Sequence, residues 1–114
     1  MINIKKSAND KNYAGREDKT HWTRLSGVRI GQTNVNAVAD QGAEVSLIMR
    51  RSAEELGLTL RTERRPWLKP AWASEVYQAY GTARAKVEIE DGPRKWLSLV
   101  VLDEDQPWEL LIGN

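Results

Sequence analysis

Val35-Asn36-Ala37-Val38-Ala39-Asp40-Gln41-Gly42-Ala43-Glu44-Val45-Ser46-Leu47-Ile48 is the stretch whose reading decides the fold. An apolar run leads straight into Asp40-Gln41-Gly42, and a second apolar run leaves it at Val45. The pattern puts a carboxylate at the end of a strand that reads as buried, on a tight turn that Gly42 makes possible. Burying a lone carboxylate is costly, so a strand that carries one inward generally has a use for it. A plainer reading fits the same residues, because Asp before X-Gly often bonds its own backbone in a turn.

Working outward, Leu25, Val28 and Ile30 lead to the Gly31-Gln32-Thr33-Asn34 turn, and Val35, Ala37 and Val38 follow. Two short β-rich runs about a Gly/Asn turn predict a hairpin whose second strand delivers Asp40. Beyond the turn, Val45, Leu47 and Ile48 continue as a buried strand. Ser52-Ala53-Glu54-Glu55 has the form of a capping box, and Gly57 is placed to stop the helix, so one or two helical turns are expected over 52–57. Pro66 and Pro70 bracket the least regular segment. Prolines cannot donate to a central ladder, so an edge or mobile hairpin is expected there. Ala83, Ala85, Val87 and Ile89 alternate with Arg84, Lys86, Glu88 and Glu90, the mark of a half-exposed strand. Asp91-Gly92-Pro93 turns the chain. Trp96–Leu102 reads as a strand buried on both sides, Asp103–Pro107 as a solvated acidic loop, and Leu110-Leu111-Ile112-Gly113-Asn114 as a closing strand. Many short strands, frequent turns and one short helix predict a small, closed, all-β domain.

Residues 1–21 are polar, without a sustained period, and read as a flexible arm. The domain proper is expected over 22–114 of the 114 residues. The absence of cysteine excludes disulfides, thiolate metal sites and a cysteine nucleophile, and fits an intracellular, cytoplasmic setting. With His21 the single histidine, neither a histidine-based triad nor a multi-histidine metal site is expected, and no cofactor is implied. Net charge is +1 with the signs interspersed. A nucleic-acid-binding barrel would need its aromatics to share a face with Arg and Lys, and most lie beside apolar runs, so no nucleic acid is expected. No apolar run approaches the roughly 20 residues of a membrane span, so no membrane partner is expected either.

Val38-Ala39-Asp40-Gln41-Gly42-Ala43 resembles the active-site signature of aspartic proteases, in which two apolar residues precede Asp-Thr/Ser-Gly-Ala. The short chain and Ala43 after the glycine are similar to the retropepsin-like branch of retroviruses and gypsy-type retrotransposons. Leu111-Ile112-Gly113 resembles the family's second motif, which passes beside the catalytic turn. By order, residues 66–80 fall where the family has its flap, with Ala71-Trp72-Ala73 at the tip. Trp72 reads equally as a flap residue on substrate or as a core anchor. Glu44 falls where retroviral members hold the substrate backbone with an aspartate. The departure is at Gln41, where the family has Thr or Ser.

The resemblance implies a retropepsin-like barrel acting as a homodimeric aspartic endopeptidase. The family's chemistry needs two carboxylates about 3 Å apart sharing a proton. This chain offers one Asp-X-Gly of the required kind, so the second carboxylate comes from Asp40 of a second copy. The substrate would be a peptide or polyprotein of a retroelement, with no metal. The alternative is a non-catalytic dimerisation or peptide-binding module in which Gln41 has removed activity.

Overall fold

Apolar residues alternate along the strands, and the alternation fills two cores, one on each face of a curled sheet. The computed structural model describes residues 2–3 and 22–114. Its strands are β1 (Ile2–Asn3), β2 (Trp22–Leu25), β3 (Val28–Ile30), β4 (Thr33–Asn34), β5 (Ala37–Asp40) and β6 (Ser46–Met49). The one helix among the described residues, α1 (Arg50–Glu55), precedes β7 (Trp67–Lys69), β8 (Tyr77–Gln78), β9 (Gly81–Ile89), β10 (Arg94–Leu102) and β11 (Leu110–Ile112). Eight strands form one sheet in the order β2-β5-β11-β6-β10-β9-β3-β4, and β1-β7-β8 form a second of three. Over the described residues the fold is thus all-β with one short helix, its large sheet curled as a half-barrel with β2 and β4 at the edges.

Side chains of a strand point to opposite faces in turn. Ile48, Leu99, Val101 and Leu110 therefore face one core, with Val28 and Val87, and α1 covers it through Ala53. Their neighbours Leu47, Val100, Leu102 and Leu111 face the other core. That second core is closed by the β7–β8 hairpin, whose Leu68 and Ala79 are buried in it, and by Trp108. Both faces of the central strands are consequently removed from water, which is the main stabilising contribution available to a chain of this size.

Several expectations change. Val28–Ile30 pairs with the two-residue β4, not with the strand that carries Asp40. β5 leaves that hairpin and pairs antiparallel with β2 and parallel with β11. The capping box does not form: α1 starts at Arg50 after Met49 and has no side-chain cap. The Ser52 hydroxyl donates instead to Glu109, at 3.2 Å. The stop at Gly57 holds, with φ of 73° and the Leu58 N–H reaching back to the Ala53 carbonyl. β7 is the middle strand of its sheet, not an edge, because its three residues fit between Pro66 and Pro70. In β10 only Leu99–Leu102 is buried on both faces, and Arg94–Trp96 is exposed. The arm expected over 1–21 lies outside the described residues apart from Ile2–Asn3, which run parallel to Leu68–Lys69.

Glu88 breaks the alternation of β9, being 8% exposed on the polar face. It accepts from Arg29, and from Arg94 Nε at 3.3 Å. The bond from Arg29, more than burial opposes it, holds the Glu88 carboxyl below its ordinary 4.5. A depressed carboxyl contributes stability that is complete above the ordinary value and is lost as pH falls through the folded one. Denaturant unfolding across the acid range should therefore show a steeper loss for the parent than for Glu88→Gln, which starts less stable at neutral pH.

Candidate active site

Asp40 ends β5 on the same face as Val38, two residues back, which lies in the second core. It is 4% exposed. Directly opposite on β2 is Trp22, so carboxylate and indole share a face. Asp40 Oδ1 accepts the Gly42 N–H at 2.9 Å, and the Asp40 carbonyl accepts the Ala43 N–H at 3.1 Å. The local turn reading is therefore correct as far as it goes. The second carboxylate oxygen makes no hydrogen bond among the described residues, and no cation pairs with Asp40 there. Gly42 contributes its N–H and not left-handed backbone, since the positive-φ residues are Gly27, Gly31, Gly57, Glu90 and Asp91.

The far end of the chain locks this turn. Leu111 and Ile112 pair in parallel with Val38 and Ala39. At Gly113, a Cβ would stand 2.4 Å from the Val45 carbonyl oxygen and 2.8 Å from that of Ala43. No side chain fits there. The Gly113 N–H donates to Ser46 Oγ at 3.1 Å, the Asn114 N–H to the Ala43 carbonyl at 2.9 Å, and Asn114 Nδ2 to the Gln41 carbonyl. Gln41 and Glu44 are exposed, and the Gln41 side chain has no partner among the described residues. Glu44 lines a groove of about 750 Å³ beside the turn, together with Val45, Pro66, Leu97 and Gly113.

The tip of the β7–β8 hairpin is tethered. Ala71 is buried and Ala73 half-buried. Trp72 stands edge-on to Trp22 at 6.2 Å and to Trp108 at 5.8 Å between ring centroids. Its indole N–H donates to Glu104 at 2.8 Å, and the other Glu104 oxygen accepts from the Tyr77 hydroxyl at 2.5 Å. Trp72 is thus a half-buried anchor that reaches the Asp40 neighbourhood through Trp22. Sequence reasoning missed Trp22, Trp108, Glu104 and Tyr77. The acidic loop read as solvated, and nothing in its composition marks Glu104 as the residue that holds the hairpin.

No family model matches the chain, and no curated protein matches it. Among solved structures, the retroviral protease-like domain of Ddi1 from Leishmania major is similar, with a TM-score of 0.59 and 23% identity over 81% of this chain and 70% of that one. A Legionella pneumophila protein of unknown function is similar at a TM-score of 0.47 and 10% identity, over 82% of this chain and 81% of its own, too slight a likeness to argue from. The first comparison shows the fold. The chain has a retropepsin-like fold.

Three outcomes follow. Gly113→Ala should lower unfolding stability by about 1–3 kcal/mol, the range for overpacking, because the groups a methyl would meet at Val45 and Ala43 are backbone carbonyls that cannot swing aside. Glu104→Ala should speed amide exchange over 70–76 while β5 and β11 keep their protection. Burial, and then the bond to Glu104, hold the Tyr77 phenol above its ordinary 10.0. An unfolded tyrosine ionises near that value and the folded one does not, so stability falls as pH rises past it. In an alkaline absorbance titration Tyr77 should stay silent until the chain unfolds.

Proposed function

We propose that the chain is an aspartic endopeptidase that works as a homodimer, with Asp40 from each copy at a shared site. The observation that carries this reading is Asp40 itself: 4% exposed, at a strand end, on a turn locked by Gly113, with one carboxylate oxygen unbonded among the described residues. The retropepsin-like fold supports it in class.

In this reading two carboxylates about 3 Å apart hold one proton between them. The ionised one takes a proton from a water, which attacks the peptide carbonyl. The protonated one gives its proton to the carbonyl oxygen, and the leaving nitrogen is protonated as the intermediate collapses. The Gly42 N–H keeps Asp40 Oδ1 oriented, which would leave Oδ2 for the water and the partner. The substrate would lie extended beside the turn, as a strand, under the tip at Ala71-Trp72-Ala73 and along Glu44. A polyprotein containing such a segment is the natural class of substrate.

Gln41 favours a second reading. It is exposed and longer than the Thr or Ser of the resemblance, so it reaches across a two-fold axis or crowds it, leaving a dimer or peptide-binding module without catalysis. One experiment separates the two: sedimentation of the chain with and without a statine-type transition-state mimic, alongside cleavage of a peptide library. Dimerisation promoted by the mimic, and cleavage that Asp40→Asn reduces at least about 10³-fold, the scale of general acid–base catalysis, support the enzyme. A dimer that cleaves nothing supports the module. A monomer indifferent to the mimic sinks the shared site.

A further inference from the structure

β10 pairs with β9 from Arg94 to Val101, but with β6 only from Leu99 to Leu102. On the β6 side, Arg94–Ser98 meets no strand among the described residues. A free strand edge offers a row of backbone donors and acceptors to another extended chain. Beside it stands Trp96, which is 58% exposed. Its ring carries the Arg84 guanidinium at 5.0 Å and Lys86 Nζ at 6.0 Å. Arg64, Arg84 and Lys86 make no ion pair among the described residues. A groove of about 620 Å³ is lined by Arg61, Arg64, Arg84 and Trp96, and by no carboxylate. It shares Arg64, Thr82 and Ser98 with the larger groove beside the turn, where Val45, Pro66 and Leu97 add apolar walls and Glu44 a carboxylate.

These observations select one kind of occupant. Unpaired cations along a groove without carboxylates complement negative charge. A free edge of five residues complements an extended polypeptide backbone. Single-stranded nucleic acid would instead call for successive aromatic platforms along the cationic track, and Trp96 is the one aromatic lining this groove. We propose that this face docks an extended acidic segment of another polypeptide, added as a strand along Arg94–Ser98 with its carboxylates on Arg64, Arg84 and Lys86. It is a second peptide site, apart from Asp40. Trp96 covers one face of the added strand, and the half-buried Leu97 receives its apolar residues.

The probe is a fluorescein-labelled peptide alternating glutamate and valine, about six residues long, the ordinary length of a strand. It is titrated against the parent chain and against Asp40→Asn, so that binding is read with and without the residue on which proteolysis would depend. The expected result is saturable binding by anisotropy that is equal in both, weakens as salt rises, and loses about two- to fivefold in affinity with Trp96→Ala, a loss on the scale of exposed cation–π contacts. The double variant Arg84→Gln with Lys86→Gln should lose a similar factor. These side chains are exposed, and thermal melts check that each variant folds. Three results overturn the proposal: no saturable binding, equal binding of the peptide with glutamine for glutamate, or tighter binding of single-stranded oligothymidylate with the same dependence on Trp96.

Discussion

The close passage of Gly113 past the carbonyls of Ala43 and Val45 is the constraint on which the rest depends. It brings the last strand against the turn after β5, and the hydrogen bonds of Gly113 and Asn114 to Ser46, Ala43 and Gln41 hold the two together. β11 lies between β5 and β6, and this contact fixes its end against the turn. Asp40 inherits its position from this arrangement. Its strand is held on one side by Leu111 and Ile112 and on the other by Thr23 and Arg24, so the carboxylate ends on a strand fixed from both sides.

The second core explains how a hairpin that sequence reasoning left mobile is held in place. Leu68, fully buried, presses the hairpin onto the face formed by Leu47, Val100 and Leu111. Trp22, Trp72 and Trp108 meet edge to face, an arrangement that suits the quadrupoles of the rings. Glu104 then takes the polar ends of Trp72 and Tyr77. A carboxylate that satisfies two half-buried donors gains from surroundings of lower dielectric than water. The hairpin tip is therefore coupled to the loop after β10 and, through Trp22, to the strand opposite Asp40. Motion of the tip would have to break these contacts.

Much of the architecture was legible along the chain because period-two patterning survives any particular packing. Ala83, Ala85 and Val87 are buried as their alternation requires, and the hairpin over 66–80 forms where two prolines and a turn bracket short β runs. The misreadings share one cause. Ser52 and Glu55 matched a cap by spacing, yet Glu109, far along the chain, competes for the Ser52 hydroxyl. Val28–Ile30 and the strand of Asp40 matched a hairpin by proximity, yet β2 and β11 offer β5 longer ladders. In each case a distant partner outcompeted a local signal.

The sequence by itself determined the all-β class, the strand that ends in Asp40 and the turn that follows. Those features are local: they rest on side-chain alternation and on turn chemistry. Only the tertiary structure decided that Trp22 faces Asp40, that Glu104 ties down Trp72 and Tyr77, and that Trp96 stands in the open beside Arg84 and Lys86. Strand register and sheet order set those neighbours, and both are chosen by the burial of two faces at once, a property of the whole sheet that no short stretch of sequence contains.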